Sequence, residues 1–305
     1  MDPNPGKSWL APRNLVFCLL MAVSGLIFWR PLIAVAAVAL DYEPYTHILL
    51  IPPITMSLLY LARGKVFREA MYCPPAAGAL VLLGGVSLWI GRSTLTLSQN
   101  DALSLKMALF VGWCVAAFIL CYGIGAIRVR PFPLMFLILM VPIPDFVLER
   151  TIWLLQGGST DMTFLMMKAA RVPVERQGFV LSLPGIDIEV AKECSGIRSS
   201  LLLLVVGLVL GQLFLQSTWR KMVLGLAILP LALVKNGLRI FTISTLGIYV
   251  DPSFLNGNLH HHGGILFFAV AVGALVWILT LLHHTETKQR KQGLQQSSNP
   301  AIHSF

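Results

Sequence analysis

Charged residues are scarce in this chain. Asp, Glu, Lys and Arg together make up 12% of the 305 residues, whereas apolar residues make up 56%. Soluble domains average about 25% charged and about 45–50% apolar residues, so the composition excludes an ordinary soluble domain. The mean hydropathy of +0.76 points the same way. The composition therefore predicts a polytopic membrane protein.

Eight apolar segments have about the length that is needed to cross a bilayer, roughly 20 residues. They are residues 14–29, 46–62, 76–91, 104–124, 131–148, 199–216, 222–249 and 261–282. No small-residue cleavage pattern follows the first, which we expect to remain as an anchor. The predicted fold is all-α, with about eight transmembrane helices in one domain, residues 1–284. A polar cytoplasmic tail, residues 285–305, is expected to be disordered.

The distribution of basic residues predicts the orientation in the membrane. With a cytoplasmic N-terminus, the inner segments hold twelve basic and three acidic residues, and the outer segments hold nine basic and eleven acidic residues. This partition satisfies the positive-inside rule and places both termini in the cytoplasm. Because the basic residues are dispersed over short loops and form no stripe, the lipid bilayer is an expected partner and nucleic acid is not.

The segment between the fifth and sixth spans, residues 145–198, is too long to be a simple connector. Its first half has apolar positions at helical spacing and predicts an interfacial helix on the membrane surface, broken at Gly157 and Gly158. In residues 177–190, Pro184-Gly185 supplies a turn between two short apolar runs, and Ile186, Ile188 and Val190 alternate with acidic residues, which predicts a short β-hairpin. The hairpin leads the chain to Cys194 at the start of the sixth span.

Few cysteines are present, and the predicted topology places Cys194 alone on the outer side among the five. A thiol in that position has no disulfide partner within the chain. The start of a helix favours the thiolate through its free N–H groups and dipole. Arg198 follows one turn later and has the same effect, whereas Glu193 opposes it. The sign of the net effect stays open, because free cysteine also packs as an inert small apolar residue.

A second unusual feature is the polar group Lys235, Asn236 and Arg239 inside the apolar seventh span. An arginine within a membrane costs at least ~2.5–3.5 kcal/mol on insertion scales, so it usually faces a protein interior or a wet cavity. Asn236 and Arg239 are three residues apart and share a helix face, which favours a polar site. The alternative is that Arg239 extends its guanidinium to the outer interface.

Three successive histidines, His260 to His262, precede the eighth span on the outer side. They lack the i, i+3 or i, i+4 spacing of zinc ligands, so no metal site is expected. Cysteine, arginine and histidine thus come from three spans and approach the same membrane face. Together they offer a nucleophile, a cation for an oxyanion or carboxylate, and a base.

These residues resemble the three motifs of the exosortase and archaeosortase family of membrane cysteine transpeptidases. The motifs are ECSGIRS at residues 193–199, NGLRI at residues 236–240, and His260 four residues before Gly264 and eight before Phe268. Asp41, Tyr45, Thr46 and His47 resemble a fourth, weaker motif of that family, with threonine in place of serine. The likeness covers residues 14–284.

The resemblance implies an enzyme of the bacterial or archaeal cytoplasmic membrane with its active site on the extracytoplasmic side. Its expected partners are membrane-anchored proteins that carry a C-terminal sorting signal: a Pro-Glu-Pro-like motif, an apolar helix and a basic cluster. Cys194 is then the nucleophile, His260 the proton-transfer residue and Arg239 the oxyanion or substrate cation. Arg198 and Asn236 are expected to bind substrate, and no cofactor is expected. His261 and His262 are close enough in sequence to replace His260.

Two other classes of function compete with this interpretation. A transporter or channel would use Arg239, Lys235 and the histidines to line a polar path. It would need polar residues along several spans down to the inner face, and few occur below the outer third. A structural scaffold of an export complex would be served by the same fold but leaves Cys194 without a role.

Overall fold

Helices dominate the first compact unit, which ends at Leu148. The structure is a computed structural model that describes residues 12–66, 71–92, 97–256 and 264–297. The helices of this unit are α1 (Pro12–Ile27), α2 (Trp29–Asp41), a 3-10 helix (Glu43–Leu50), α3 (Ile51–Val66), α4 (Ala76–Arg92), α5 (Gln99–Val129), α6 (Phe132–Phe136) and a 3-10 helix (Leu137–Met140). The long helix α5 contacts α1, α2, α3 and α4 and supplies much of the buried core.

The second compact unit begins at Glu149 and carries the cysteine and arginine motifs. Its elements are most of α7 (Asp145–Ala169), β1 (Glu175–Gln177), β2 (Val180–Leu183), β3 (Ile186–Glu189), a 3-10 helix (Lys192–Ser195), α8 (Ile197–Phe214), α9 (Thr218–Tyr249), α10 (Ser253–Asn256) and α11 (Gly264–Ser297). Helices α8, α9 and α11 pack against one another around a buried cluster that includes Leu203, Leu224 and Leu275.

The described residues hold five to seven candidate membrane spans, against the predicted eight. Within the described ranges, five helices or continuous helical segments are long and apolar enough to cross a bilayer: Pro44–Gly64, Gln99–Val129, Lys192–Phe214, Thr218–Tyr249 and Gly264–Gln292. Two bent pairs raise the count to seven, α1 with α2 at 74° and Phe132–Met140 with α7 at 91°. The third predicted span, residues 76–91, falls in a shorter apolar helix. The prediction of an integral membrane protein stands, and the count of eight is not confirmed.

Helix α7 runs unbroken through the two glycines that were expected to end it. It continues from Asp145 to Ala169, and the predicted break at Gly157 and Gly158 is wrong. A Cβ atom at Gly158 would lie 2.8 Å from the Leu233 side chain of α9. The absence of a side chain at this position therefore allows α9 to approach α7 closely, and packing outweighs the low helix propensity of glycine.

The predicted β-hairpin is confirmed and belongs to a slightly larger sheet. Strands β2 and β3 pair antiparallel around the Pro184-Gly185 turn, with Leu183 opposite Ile186 and Val180 opposite Glu189. Strand β1 adds a third strand on the other side of β2, in the order β1-β2-β3. Gly185 has φ +85°, a left-handed conformation that glycine adopts without strain.

The expectation of a disordered polar tail is wrong for residues 285–297, because α11 continues to Ser297. Glu286 explains part of this order. Its carboxylate accepts hydrogen bonds from the backbone N–H groups of Gln216 at 3.1 Å and Ser217 at 2.7 Å. It also lies 3.3 Å from Nη1 of the buried Arg220. Glu286, in the polar end of α11, thus stabilises the turn between α8 and α9.

Candidate active site

Cys194 lies in the short connection between the sheet and helix α8. It belongs to the 3-10 helix Lys192–Ser195, and its backbone N–H donates to the carbonyl of Ala191 at 2.9 Å. Gly196 follows with φ +74° and is the N-terminal cap of α8. A left-handed residue at this point lets the chain turn sharply from the 3-10 helix into the membrane-spanning helix. Cys194 is partly buried and precedes the cap by two residues.

Asn236 of α9 holds this turn in place. Its Nδ2 atom donates to the carbonyl oxygen of Cys194 at 2.7 Å and to Oγ of Ser159 in α7 at 2.9 Å. The Asn236 side chain is only 1% exposed. Hydrogen bonds between buried groups are costly to remove, since an orphaned buried partner loses its solvation without compensation. A single amide therefore ties together α7, α9 and the backbone of the cysteine.

Gly196 and Asn236 are in unusually close contact. A Cβ atom at position 196 would lie 2.8 Å from Oδ1 of Asn236, a distance at which a neighbouring atom must move. Gly237, the next residue of α9, is packed just as closely, since a Cβ atom there would lie 2.6 Å from Cβ of Met162. The two glycines of the cysteine and arginine motifs thus allow α7, α9 and the turn before α8 to meet.

Helix α9 carries two cations close to the start of α8. Arg239 is partly buried and interacts electrostatically with both Cys194 and Lys235. Lys235 is 6% exposed, and its ammonium donates a hydrogen bond to Oγ of Ser199 in the first turn of α8. Glu193 also acts on Cys194, but its side chain is exposed. Arg239 is therefore placed where it can stabilise negative charge on the thiol sulfur or on an oxyanion next to it.

A row of buried polar residues on α7 was missed in the sequence. Gln156, Ser159, Thr160 and Thr163 are each at most 5% exposed. Gln156 donates to the carbonyl of Val190 just before the cysteine turn, and Thr163 donates to the carbonyl of Gly237 at 3.3 Å. Their spacing of i, i+3, i+4 and i+7 is the pattern of one helix face. That polar periodicity was the available signal that α7 packs against protein.

Arg198 does not have the relation to Cys194 that was expected from helical spacing. The left-handed Gly196 separates the two residues, so they do not share a helix face. Arg198 lies in the first turn of α8 with an exposed side chain. Its role in substrate binding stays a prediction, as does that of Asn236, whose described hydrogen bonds are internal to the protein.

The candidate histidines were expected to supply the proton-transfer residue of the site. His260, His261 and His262 lie outside the described residues, so the proton-transfer role of His260 stays a prediction. His47 lies in the first unit, where it is 3% exposed and its Nδ1 atom is 3.0 Å from the carbonyl of Pro44. The structure therefore brings together Cys194, Asn236 and Arg239 from the predicted set.

Comparison with known proteins gives one result. The sequence model of the transmembrane exosortase family matches residues 39–277. The matched residues include the cysteine turn, the arginine motif of α9 and the histidine segment. No curated protein and no solved structure matches the chain. Because the match covers well over half of the sequence, the chain belongs to the transmembrane exosortase family.

Proposed function

We propose that this exosortase is a cysteine protease or transpeptidase that cleaves C-terminal sorting signals of membrane-anchored proteins. His260 takes the proton of the Cys194 thiol, the thiolate attacks the scissile carbonyl, and His260 then gives that proton to the leaving amine. An amine or water then resolves the acyl-enzyme and restores the thiol. Arg239 stabilises the oxyanion of the tetrahedral intermediates. The substrate arrives by diffusion in the bilayer and presents its cleavage site at the outer interface.

One observation carries this proposal: the nucleophile candidate is held by residues of the arginine motif. Asn236 fixes the carbonyl of Cys194, and Arg239 lies one turn further along α9 and acts on the thiol. A nucleophile and an oxyanion-stabilising cation need fixed relative positions, because small displacements lower the rate steeply. Cys194 and Arg239 are thus positioned by the same helix.

The transporter alternative receives little support from the same residues. Lys235 donates its hydrogen bond across to Ser199, and α9 is apolar from Met222 to Val234. The next polar cluster on this helix, around Arg220, is bonded to Glu286 and Gln289 of α11. A conducting path would need polar groups between these two levels.

The decisive test replaces the nucleophile. A reporter protein is fused to a tail that contains a Pro-Glu-Pro motif, about 20 apolar residues and an arginine-rich end, and is co-expressed with the enzyme. Cys194→Ala is expected to abolish processing. The matched control replaces the other four cysteines, Cys18, Cys73, Cys114 and Cys121, with alanine and is expected to process the reporter. Processing by Cys194→Ala at the rate of the control would overturn the proposal.

We also propose that both termini are cytoplasmic and that the cysteine turn faces the extracytoplasmic side of the cytoplasmic membrane. The partition of basic residues supports this orientation. Fusions of a compartment-sensitive reporter at Lys65, at Arg128 and after Phe305 are expected to give cytoplasmic signals. A fusion at Arg128 that reads as extracytoplasmic would contradict the orientation.

A further inference from the structure

The open edge of strand β3 presents two residues whose backbone groups point away from the sheet. In the order β1-β2-β3, β3 is an edge strand, and no other described strand pairs with it. The two-residue turn at Pro184-Gly185 makes Leu183 and Ile186 a hydrogen-bonded pair. Hydrogen-bonded and non-hydrogen-bonded pairs then alternate along the ladder. The backbone groups of Ile186 and Ile188 therefore face β2, and those of Asp187 and Glu189 face outward.

An independent hydrogen bond agrees with this alternation of inward and outward backbone groups along β3. The backbone N–H of Val190 donates to the carbonyl of Phe179 at 2.9 Å, which places Val190 on the β2 side, two residues after Ile188. Of the outward groups, the carbonyl of Glu189 accepts from the N–H of Ala191 at 3.0 Å. The outer edge of β3 thus offers the N–H and carbonyl of Asp187 and the N–H of Glu189.

This edge leads directly to the candidate nucleophile. Cys194 comes five residues after Glu189, and the membrane-spanning segment begins at Lys192. Five residues reach at most about 17 Å when fully extended, and the 3-10 helix Lys192–Ser195 shortens that path. A peptide could therefore lie along the edge of β3 and also place its scissile bond at Cys194. It would need only about five residues between the part beside Glu189 and the scissile bond.

The strand is anchored on one face and open on the other. Ile186 and Ile188 pack against the buried cluster of Met167, Leu181 and Leu183, whereas Asp187 and Glu189 are exposed. The register places Glu175 of β1 in the same cross-strand row as Asp187. The open face is therefore acidic along its length, and it favours neutral or basic side chains in a partner strand.

We infer that the edge of β3 binds the substrate segment that precedes the scissile bond, as an added extended strand. This inference rests on the proposed function. Addition of a strand to a sheet edge uses main-chain hydrogen bonds for affinity and leaves the side chains of alternate residues to set specificity. Such binding suits an enzyme that must accept many different proteins, because backbone hydrogen bonds do not depend on sequence.

The expected direction of the added strand follows from the chemistry of the substrate. A substrate with a C-terminal membrane helix runs toward the membrane as it approaches its cleavage site. Strand β3 likewise runs toward Lys192, where the spanning segment begins. The two strands are therefore expected to be parallel.

The competing explanation is that Asp187 and Glu189 only protect an unused edge from aggregation, as charged residues often do.

Disulfide cross-linking tests the inference. The enzyme background has all five native cysteines replaced by alanine, including Cys194, so that the substrate is bound and not cleaved. Single cysteines are placed at Asp187→Cys or Glu189→Cys, and singly at ten successive positions before the Pro-Glu-Pro motif of the reporter. Neighbouring strands lie about 4.7–4.9 Å apart, within the Cα–Cα range of a disulfide. Glu175→Cys is the matched control, two strands or about 10 Å away from Asp187 on the same face.

The result expected is cross-linking that alternates along the reporter with a period of two, with Glu175→Cys giving none. Changing the enzyme cysteine from 187 to 189 should move the preferred reporter position by two residues toward the C-terminus for a parallel strand. Restoring Cys194 in the alanine background should restore cleavage, which verifies the fold.

The outcomes separate the two proposals. If the restored enzyme cleaves the reporter but cross-linking is absent, lacks alternation, or is equally strong from Glu175→Cys, the edge inference is overturned and the proposed function stands. If alternating cross-links form but wild-type enzyme does not cleave, the edge is a binding site and the proposed cleavage is wrong. Absence of both cleavage and cross-linking overturns both.

Discussion

Gly196→Ala tests the contact on which the geometry of the site depends. Gly196 has φ +74°, and an L-residue in the left-handed region costs about 1–2 kcal/mol. Alanine recovers about 0.4–1 kcal/mol by restricting the unfolded chain, which leaves a net cost of about 1 kcal/mol from conformation. The added Cβ would also lie 2.8 Å from Asn236 Oδ1, so the amide must move. Its displacement from the carbonyl of Cys194 costs a further ~1–3 kcal/mol.

Gly178 provides the matched control for this substitution. It has φ +63° at the turn between β1 and β2, and apart from its two chain neighbours no described residue has a heavy atom within 4 Å of the position that a Cβ atom would take there. Gly178→Ala is therefore destabilised only by the left-handed backbone conformation. The two variants should differ in apparent unfolding midpoint by roughly 2–12 °C, from the ~1–3 kcal/mol difference and the 2–4 °C per kcal/mol that is typical of chains of about 150–250 residues.

Reporter processing distinguishes the two glycines further. A displacement of the catalytic group by about 1 Å can cost ~10²-fold in rate, so Gly196→Ala is expected to lower kcat/KM by about that factor. Gly178→Ala should process the reporter at the wild-type rate. Equal processing and equal midpoints for the two alanine variants would refute the argument that the Gly196–Asn236 contact positions the nucleophile.

Three further predictions concern the remaining charged and titratable residues. Arg239→Lys should slow processing by ~10²–10³-fold, because lysine lacks the planar donor fork and one oxyanion donor is worth that much; a nearly silent variant would mean that Arg239 only extends to the interface. Among single alanine variants of His260, His261 and His262, only the first should accumulate unprocessed reporter; normal processing by all three would place the proton-transfer base elsewhere. Glu286→Gln should lower the unfolding free energy by about 1–3 kcal/mol through weaker bonds to the turn between α8 and α9, measured by thermal unfolding, with kcat unchanged; an unchanged midpoint would contradict the role given to this carboxylate.

The hairpin was predictable from sequence because its signals are local. Pro184-Gly185 supplies the turn, and the alternation of Ile186 and Ile188 with acidic residues has the period of a strand with one buried face. Helices α8 and α9 were predictable for a similar reason, since long apolar runs define their own ends. What these patterns could not supply is which residues meet.

The Asn236–Cys194 bond and the role of α7 depend on packing between helices. Gly157 and Gly158 were interpreted as a helix break because glycine is a poor helix former, but Gly158 serves as a contact surface for Leu233. The count of eight spans is not confirmed for a related reason. Apolar length does not reveal a sharp bend, and the pairs that include α1 and α7 are bent by 74° and 91°.

The order of the site's residues along the chain has a consequence for biogenesis. Ser159, Cys194, Asn236 and Arg239 all precede α11, and α8 and α9 are joined by a turn of only three residues, 215–217. The hydrogen bonds of Asn236 span 42 residues to Cys194 and 77 residues to Ser159, and both partners are synthesised before Asn236. The amide of Asn236 can therefore fix the cysteine turn once α9 has entered the bilayer, without any contact from α11.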